Sequence, residues 1–212
     1  MHGNPFDQFT DEYEAWFIEN KNTFQSELLA LKQAVPVGEK GIEIGIGSGI
    51  FAEQLGIQYG IDPSENMLEY ARKRSLKVEK GFAEDLPYPD NNFDFAVFIT
   101  SMCFIGKPDK AIREAHRILR PNGEIIIAFI DKESTLGQIL EKGRDESEFY
   151  RDANFFSVPE MIKMVENNGF EISDIFQTLI ELNNDGIENP VKGFGKGSFV
   201  VIKGRKTVFK DL

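Results

Sequence analysis

Gly41-Ile42-Glu43-Ile44-Gly45-Ile46-Gly47-Ser48-Gly49-Ile50 changes character halfway along. A short apolar run carrying one acid gives way to alternating glycines, after which Ile50, Phe51 and Leu55 are spaced as on a helix face. Glycines are needed where the backbone turns sharply and comes within contact distance of a ligand, because a Cβ would collide. The stretch reads as strand, ligand-cradling loop and helix, the opening unit of a nucleotide-binding α/β sheet.

Upstream, Phe9, Tyr13, Trp16, Phe17, Phe24, Leu28 and Leu31 recur at three- and four-residue spacing. That spacing predicts one covering helix with an aromatic face. Thr10 is its expected N-cap, with Asp11 and Glu12 suiting the positive helix end, and Pro36 and Gly38 stop it.

Downstream, strand and helix alternate. Residues 58–62 form a short strand ending in an acid, and Pro63-Ser64 opens a helix with Met67, Leu68 and Ala71 on one side. Residues 76–81 read as a strand, 83–92 as a loop, and 93–99 as an apolar strand of the kind buried on both faces of a parallel sheet. Pro108 starts a helix with face Ala111, Ile112, Ala115, Ile118 and Leu119; Pro121-Asn122-Gly123 ends it before a buried strand over 124–130.

Residues 131–154 are polar, with a helix expected around 136–141, and suit a movable cover. Ser157-Val158-Pro159-Glu160 is a capping box, and that helix closes at Gly169. Residues 170–180 and 198–203 are the final strands, antiparallel because no crossover helix joins them. The expected fold is a doubly wound, seven-stranded, mostly parallel α/β sheet with the last strand antiparallel and an N-terminal covering helix. One domain is expected over 1–212, with the cover at 1–37, a cofactor-binding half at 38–131 and a substrate-side segment with the last strands at 132–212.

At 212 residues the chain can bury a substantial core, and 41% hydrophobic with 28% charged residues is ordinary for a globular protein. A net charge of −11 argues against a nucleic-acid partner, which needs clustered Lys and Arg. One cysteine, Cys103, forbids an internal disulfide, and with His2 and His116 leaves no zinc set. No run reaches the ~20 apolar residues of a membrane span, and Met1 to Pro5 lacks a charged-then-apolar secretion pattern. A cytoplasmic monomer or homodimer is expected.

The segment Glu43-Ile44-Gly45-Ile46-Gly47-Ser48-Gly49 resembles the acid-x-Gly-x-Gly-x-Gly loop of class I S-adenosylmethionine-dependent methyltransferases. So do four later pieces in order: Gly60-Ile61-Asp62-Pro63-Ser64 with Met67-Leu68, Ala83-Glu84-Asp85-Leu86-Pro87-Tyr88, Phe93-Asp94, and Arg117 to Gly123. The resemblance is detailed over 41–130 and nearest the small-molecule and quinone branch. It implies methyl transfer from S-adenosylmethionine, leaving S-adenosylhomocysteine, to a small-molecule acceptor. A carboxylate such as Glu43 would repel a pyrophosphate but attract a sulfonium and an ammonium. The glycine spacing also departs from the Gly-x-Gly-x-x-Gly dinucleotide fingerprint. An NAD(P)-binding Rossmann oxidoreductase is the alternative, and a non-catalytic S-adenosylmethionine-binding protein a second.

The resemblance assigns Glu43, Gly45, Gly47 and Gly49 to the methionine half of the cofactor and Asp62 to the ribose hydroxyls. Met67, Ala83 and Glu84 fall to the adenine and Thr100 to the methionine end. Phe82 stands where many relatives carry Asp. Tyr13 and Trp16 are the expected aromatic cover. Trp16, Phe104 and Asp131 are the candidate acceptor contacts, with Asp131 the acceptor-facing acid. No side chain is assigned as catalytic and no metal is expected. The acceptor is an amine on the strength of the acidic residues, or a hydrophobic ring or quinone on that of Met102, Phe104, Phe155 and Phe156. Cys103 reads as buried filler, Gly193 to Gly197 as a turn, and His116 as a non-catalytic helix residue.

Overall fold

The computed structural model describes residues 5–182 and 185–207; His2 lies outside them. Three helices precede the sheet: α1 Pro5–Gln8, α2 Thr10–Glu19 and α3 Lys21–Ala34. Then follow β1 Gly41–Ile44, α4 Ile50–Leu55, β2 Tyr59–Asp62, α5 Glu65–Lys73, β3 Lys77–Lys80 and β4 Phe93–Ile99. The second half is α6 Pro108–Ile118, β5 Leu119–Ile130, α7 Thr135–Lys142, α8 Val158–Asn167, β6 Phe170–Thr178, β7 Val191–Lys192 and β8 Phe199–Lys206.

The sheet order is β3-β2-β1-β4-β5-β8-β6-β7. The strands β1 to β5 pair in parallel, while β8 runs antiparallel between β5 and β6. The eighth strand, absent from the sequence reading, is the two-residue β7 pairing the edge of β6 at Phe176 and Gln177. Order reverses between β1 and β4, so a crevice opens past their carboxyl ends, where ligands of doubly wound sheets bind.

Each face of the sheet carries its own core. Ile42, Ile44, Ala96, Phe98, Ile125 and Ile127 pack against Ala111, Ile112 and Ala115 of α6 and Val158, Met161 and Val165 of α8. On the other face Phe95, Val97, Ile126, Phe199 and Val201 meet Phe24, Leu28 and Leu31 of α3 and Leu68 and Ala71 of α5. The strand β4 is buried on both faces, which explains its unbroken apolar sequence.

The single N-terminal helix expected from periodicity is divided. The Asn20 amide N–H donates to Trp16 O at 2.8 Å and its Nδ2 at 3.0 Å, closing α2 before α3 starts at Lys21. Thr10 is not an N-cap: it is the first residue of α2, and its hydroxyl donates back to Phe6 O at 2.7 Å. The division separates duties. Helix α3 covers the sheet, whereas α1 and α2 reach over the crevice. The helix α6 ends at Ile118, and Leu119 already pairs with Phe93. The Pro121-Asn122-Gly123 turn is therefore a bulge inside β5, with Asn122 at φ +64°. The capping box of Ser157 and Glu160 forms as its sequence requires.

Candidate active site

The glycine loop after β1 is held from below. Gly45 and Ile46 amides donate to Ile61 O at 2.9 and 3.0 Å, and the Gly49 amide to Ile46 O at 2.9 Å. Gly45, Gly47 and Gly49 all have positive φ, a region that L side chains enter at a cost. A Cβ at Gly47 would stand 3.7 Å from the Tyr13 hydroxyl and 4.0 Å from Met67 Sδ, so it would protrude into the crevice. Gly49 has another reason to be glycine: its Cβ would meet Leu76 at 2.4 Å, inside the fold.

Asp62 ends β2 with both carboxylate oxygens engaged. Oδ2 accepts from the Gly47 amide at 2.9 Å and Oδ1 from the Ser64 amide at 2.8 Å. Burial raises its pKa, and these two amides act against that rise. Ser64 caps α5 by accepting from the Met67 amide, and it donates to Asp7 of α1 at 2.5 Å. Arg74 ties α2 to the loop region: it reaches Glu14 at 2.6 Å, Glu53 at 3.3 Å and Ser48 O at 3.0 Å. The cover is thus fastened to the residues beneath it.

These elements enclose a cavity of about 630 Å³ at the switch point, a size usual for a cofactor site. Its inner wall holds Gly45, Gly47, Asp62, Met67, Ala83, Glu84, Thr100 and Tyr13, which the sequence reading grouped. Phe82 is also on the wall, 65% exposed at its lip. The outer wall was not foreseen in full: it is Phe6 and Phe9 of the N-terminal segment, Phe104, and Glu148, Phe149, Arg151 and Asp152. Phe6 meets Phe104 edge-on at 4.9 Å and Phe149 at 5.6 Å, so the two covering segments touch across the opening. Thr100 has φ +49°, uncommon for a β-branched residue and of the kind that collects at functional sites.

Four sequence candidates lie off this wall. Glu43 is beneath the loop, 2% exposed; one oxygen accepts from the Ala52 amide, while Oε2 has no hydrogen-bond partner. Its pKa is raised by burial first and by Asp62 second. Gly49 packs inward, as above. Trp16 is 41% exposed on the outer flank of α2, edge-on to Phe17, and does not face the cavity. Asp131 is buried at a turn and does not line the cavity: Oδ1 accepts from the Glu133 amide at 3.1 Å as the chain bends towards α7. Cys103 is inert, since burial pushes its thiol up to about 12 and it donates to Thr100 O. His116 packs edge-on against Phe170, and Gly193 and Gly195 form a positive-φ turn, as read from sequence.

The chemistry of the wall suits a cationic nucleoside ligand. Asp62, Glu84, Glu148 and Asp152 line it against one cation, Arg151. Below the loop lies the buried carboxyl of Glu43, with an orphan oxygen, and burial and Asp62 both disfavour its charge in the free protein. A pyrophosphate over this loop would sit against carboxylates, whereas a sulfonium and an ammonium would be attracted.

Fold and site together define a class I methyltransferase of the α/β type. The Methyltransferase domain family model matches residues 42–127. A solved structure of a SAM-dependent methyltransferase, possible histamine N-methyltransferase, from Thermotoga maritima is 43% identical. It covers 96% of this chain and 99% of its own, with a TM-score of 0.93. An uncharacterized protein of Methanocaldococcus jannaschii is 41% identical over 96% of this chain and 99% of its own. The ubiquinone/menaquinone biosynthesis C-methyltransferase UbiE of Rickettsia bellii is 32% identical over 50% of this chain and 43% of its own. The chain belongs to the S-adenosylmethionine-dependent methyltransferases.

Proposed function

We propose that this methyltransferase acts on a small molecule taken into the aromatic outer half of the cavity. The observation that carries this reading is the contact of α1 with the segment after α7 through Phe6 and Phe149, which roofs part of a cavity that Thr100 also lines. Gly45 and Gly47 would hold the methionine part of S-adenosylmethionine, Asp62 the ribose, and Met67, Ala83 and Glu84 the adenine. Bound there, S-adenosylmethionine would supply a methyl group on a sulfonium, which departs as a neutral thioether when an acceptor attacks in line.

The protein's part is alignment and exclusion of water. Holding the acceptor in line can remove ~7–11 kcal/mol of barrier. The rings of Phe6, Phe9, Phe104 and Phe149 line the cavity and would shield a bound acceptor from water, strengthening the fixed charges around it. Two acceptor classes are suggested by the names of relatives. The Thermotoga relative's name speaks of a possible histamine N-methyltransferase and the Rickettsia one's of a ubiquinone/menaquinone biosynthesis C-methyltransferase. The carboxylate-rich lining supports the first. Transfer of labelled methyl to a panel of amines, phenols and quinols, with bulk protein and RNA alongside, tests the proposal. Label entering a small molecule is the expected result, and label entering only protein or RNA would sink it.

A further inference from the structure

The chain between α7 and α8 puts a bend of fixed shape on the outer wall of the cavity. The Ala153 amide donates to Tyr150 O at 2.9 Å, which makes 150–153 a turn with Arg151 and Asp152 at its two central positions. The turn is anchored from both ends. Tyr150 stacks on Phe104 at 5.9 Å, and Ala153 is buried, its carbonyl accepting from Arg144 Nη1 at 3.4 Å. The Asn154 amide donates to Cys103 O at 2.8 Å. Glu148, Phe149, Arg151 and Asp152 are thereby set on the cavity wall.

Arg151 is the one cation among the described residues that line the cavity. Every other arginine of the chain engages a side chain, from Arg72 with Glu65 to Arg205 with Glu124. Arg151 pairs with nothing among the described residues, although Glu148 and Asp152 stand close by in sequence. A guanidinium is a rigid fork of donors that matches a carboxylate. In a chain of net charge −11, an unpaired one on a cavity wall points to an anionic group on a ligand. Two such groups are at hand: the carboxylate of the cofactor's methionine part and a carboxylate on the acceptor. The surroundings favour the acceptor. The glycine loop lies under α2, with the Tyr13 hydroxyl 3.7 Å from a Cβ at Gly47. The segment bearing Arg151 instead meets the outer rings, Phe149 touching Phe6 at 5.6 Å and Phe9 at 6.0 Å.

We propose that Arg151 receives a carboxylate of the methyl acceptor, and that the acceptor is an amino acid with an aromatic or imidazole side chain. The proposal rests on the methyltransferase reading and on an acceptor seated in the outer half of the cavity. The parts of such a molecule match the wall. Its carboxylate meets Arg151, and its amino group meets Glu148 and Asp152, which have no other partner among the described residues. Its ring lies among Phe6, Phe9, Phe104 and Phe149. The anchored turn holds the backbone of Arg151 in place before the ligand arrives, so less ordering is lost on binding. Arg151 is exposed, so water competes for the pair and its worth stays well below that of a buried one. About tenfold in affinity is the size to expect.

The test uses matched pairs that differ by one carboxylate: histidine and histamine, tyrosine and tyramine, tryptophan and tryptamine. Wild type, Arg151→Met and Arg151→Lys are each saturated with S-adenosylhomocysteine and titrated calorimetrically with these pairs. Methyl-label turnover is measured on the same compounds, and thermal unfolding checks that the variants fold. The expected result is that wild type binds and methylates one amino acid about tenfold better than its amine. Arg151→Met erases that preference, and Arg151→Lys, which keeps the charge but not the fork, restores part of it. Equal binding of both members by wild type, binding of neither, or a preference that survives in Arg151→Met would overturn the proposal. A second arm titrates S-adenosylhomocysteine and its decarboxylated analogue. A loss in Arg151→Met confined to S-adenosylhomocysteine would give Arg151 to the cofactor and overturn its assignment to the acceptor. Failure of wild type to bind S-adenosylhomocysteine at all would instead strike the cofactor reading on which the proposal rests.

Discussion

The Gly47 amide donates to Asp62 Oδ2 at 2.9 Å, joining the loop after β1 to the end of β2 across the floor of the cavity. One carboxylate thus fixes the loop and also lines the cavity, where the proposed function would have it meet the ribose. Asp62→Asn keeps the volume but loses the charge and one acceptor. It is expected to weaken S-adenosylhomocysteine by about 1.5–3 kcal/mol, the worth of a charged hydrogen bond. Calorimetry on both proteins checks this, and an unchanged affinity would remove Asp62 from the site.

Gly45 tests the packing beneath the loop. Its φ is +76°, and a Cβ there would stand 2.5 Å from Ser101 Cβ. Ser101 has little room to yield, because its hydroxyl donates to Ile44 O at 2.9 Å. Gly45→Ala is expected to cost about 2 kcal/mol or more in urea unfolding. Gly56→Ala is the control: φ is +71° but nothing lies within 4 Å of the new Cβ, so only the ~1 kcal/mol of left-handed backbone is lost.

Glu27 makes stability depend on pH in a stated direction. Its folded pKa of about 8 lies above the ordinary value of 4.5. Below the ordinary value both states carry the proton and the group is silent in the comparison. Between the two values the unfolded chain releases a proton that the native state keeps, so wild type loses stability relative to Glu27→Gln as pH rises. The gap should widen by roughly 4 kcal/mol from pH 5 to 9 and then level off. Urea unfolding of both proteins at several pH values measures it. A constant gap would mean that Glu27 is not buried unpaired.

The aromatic cover is a matter of exchange more than of fold. Phe149 touches Phe6 at 5.6 Å and Phe9 at 6.0 Å, both from the N-terminal segment. Phe149→Ala should speed release of S-adenosylhomocysteine about tenfold while shifting the unfolding midpoint little. Stopped-flow displacement gives the rate; an unchanged rate would show that the cover does not gate the cavity.

How much of this was written in the sequence follows from the range of each interaction. The 41–50 stretch was legible because glycine and strand requirements are local, and Asp62, Ala83 and Thr100 because strand ends converge on one crevice. Trp16 was misplaced because three-residue spacing from Tyr13 leaves it on the flank of a helix, and only the turn at Asn20 decides which flank is outside. Asp131 was misread since an acid at a strand end can either face the crevice or bind the next turn, and here the Glu133 amide claims it. Glu27 did leave a signal. It falls in the apolar series Phe24, Leu28, Leu31 at helical spacing, an acid where a core side chain belongs. Arg151 left none, because only the turn closed by Tyr150 and Ala153 sets it on the cavity wall.

The central claim, that the switch-point cavity is the seat of S-adenosylmethionine, is tested most directly by calorimetric titration of the wild-type chain with S-adenosylhomocysteine and, separately, with NADH. One-to-one binding of S-adenosylhomocysteine with no heat from NADH is the predicted result. Binding of NADH with none of S-adenosylhomocysteine would contradict it.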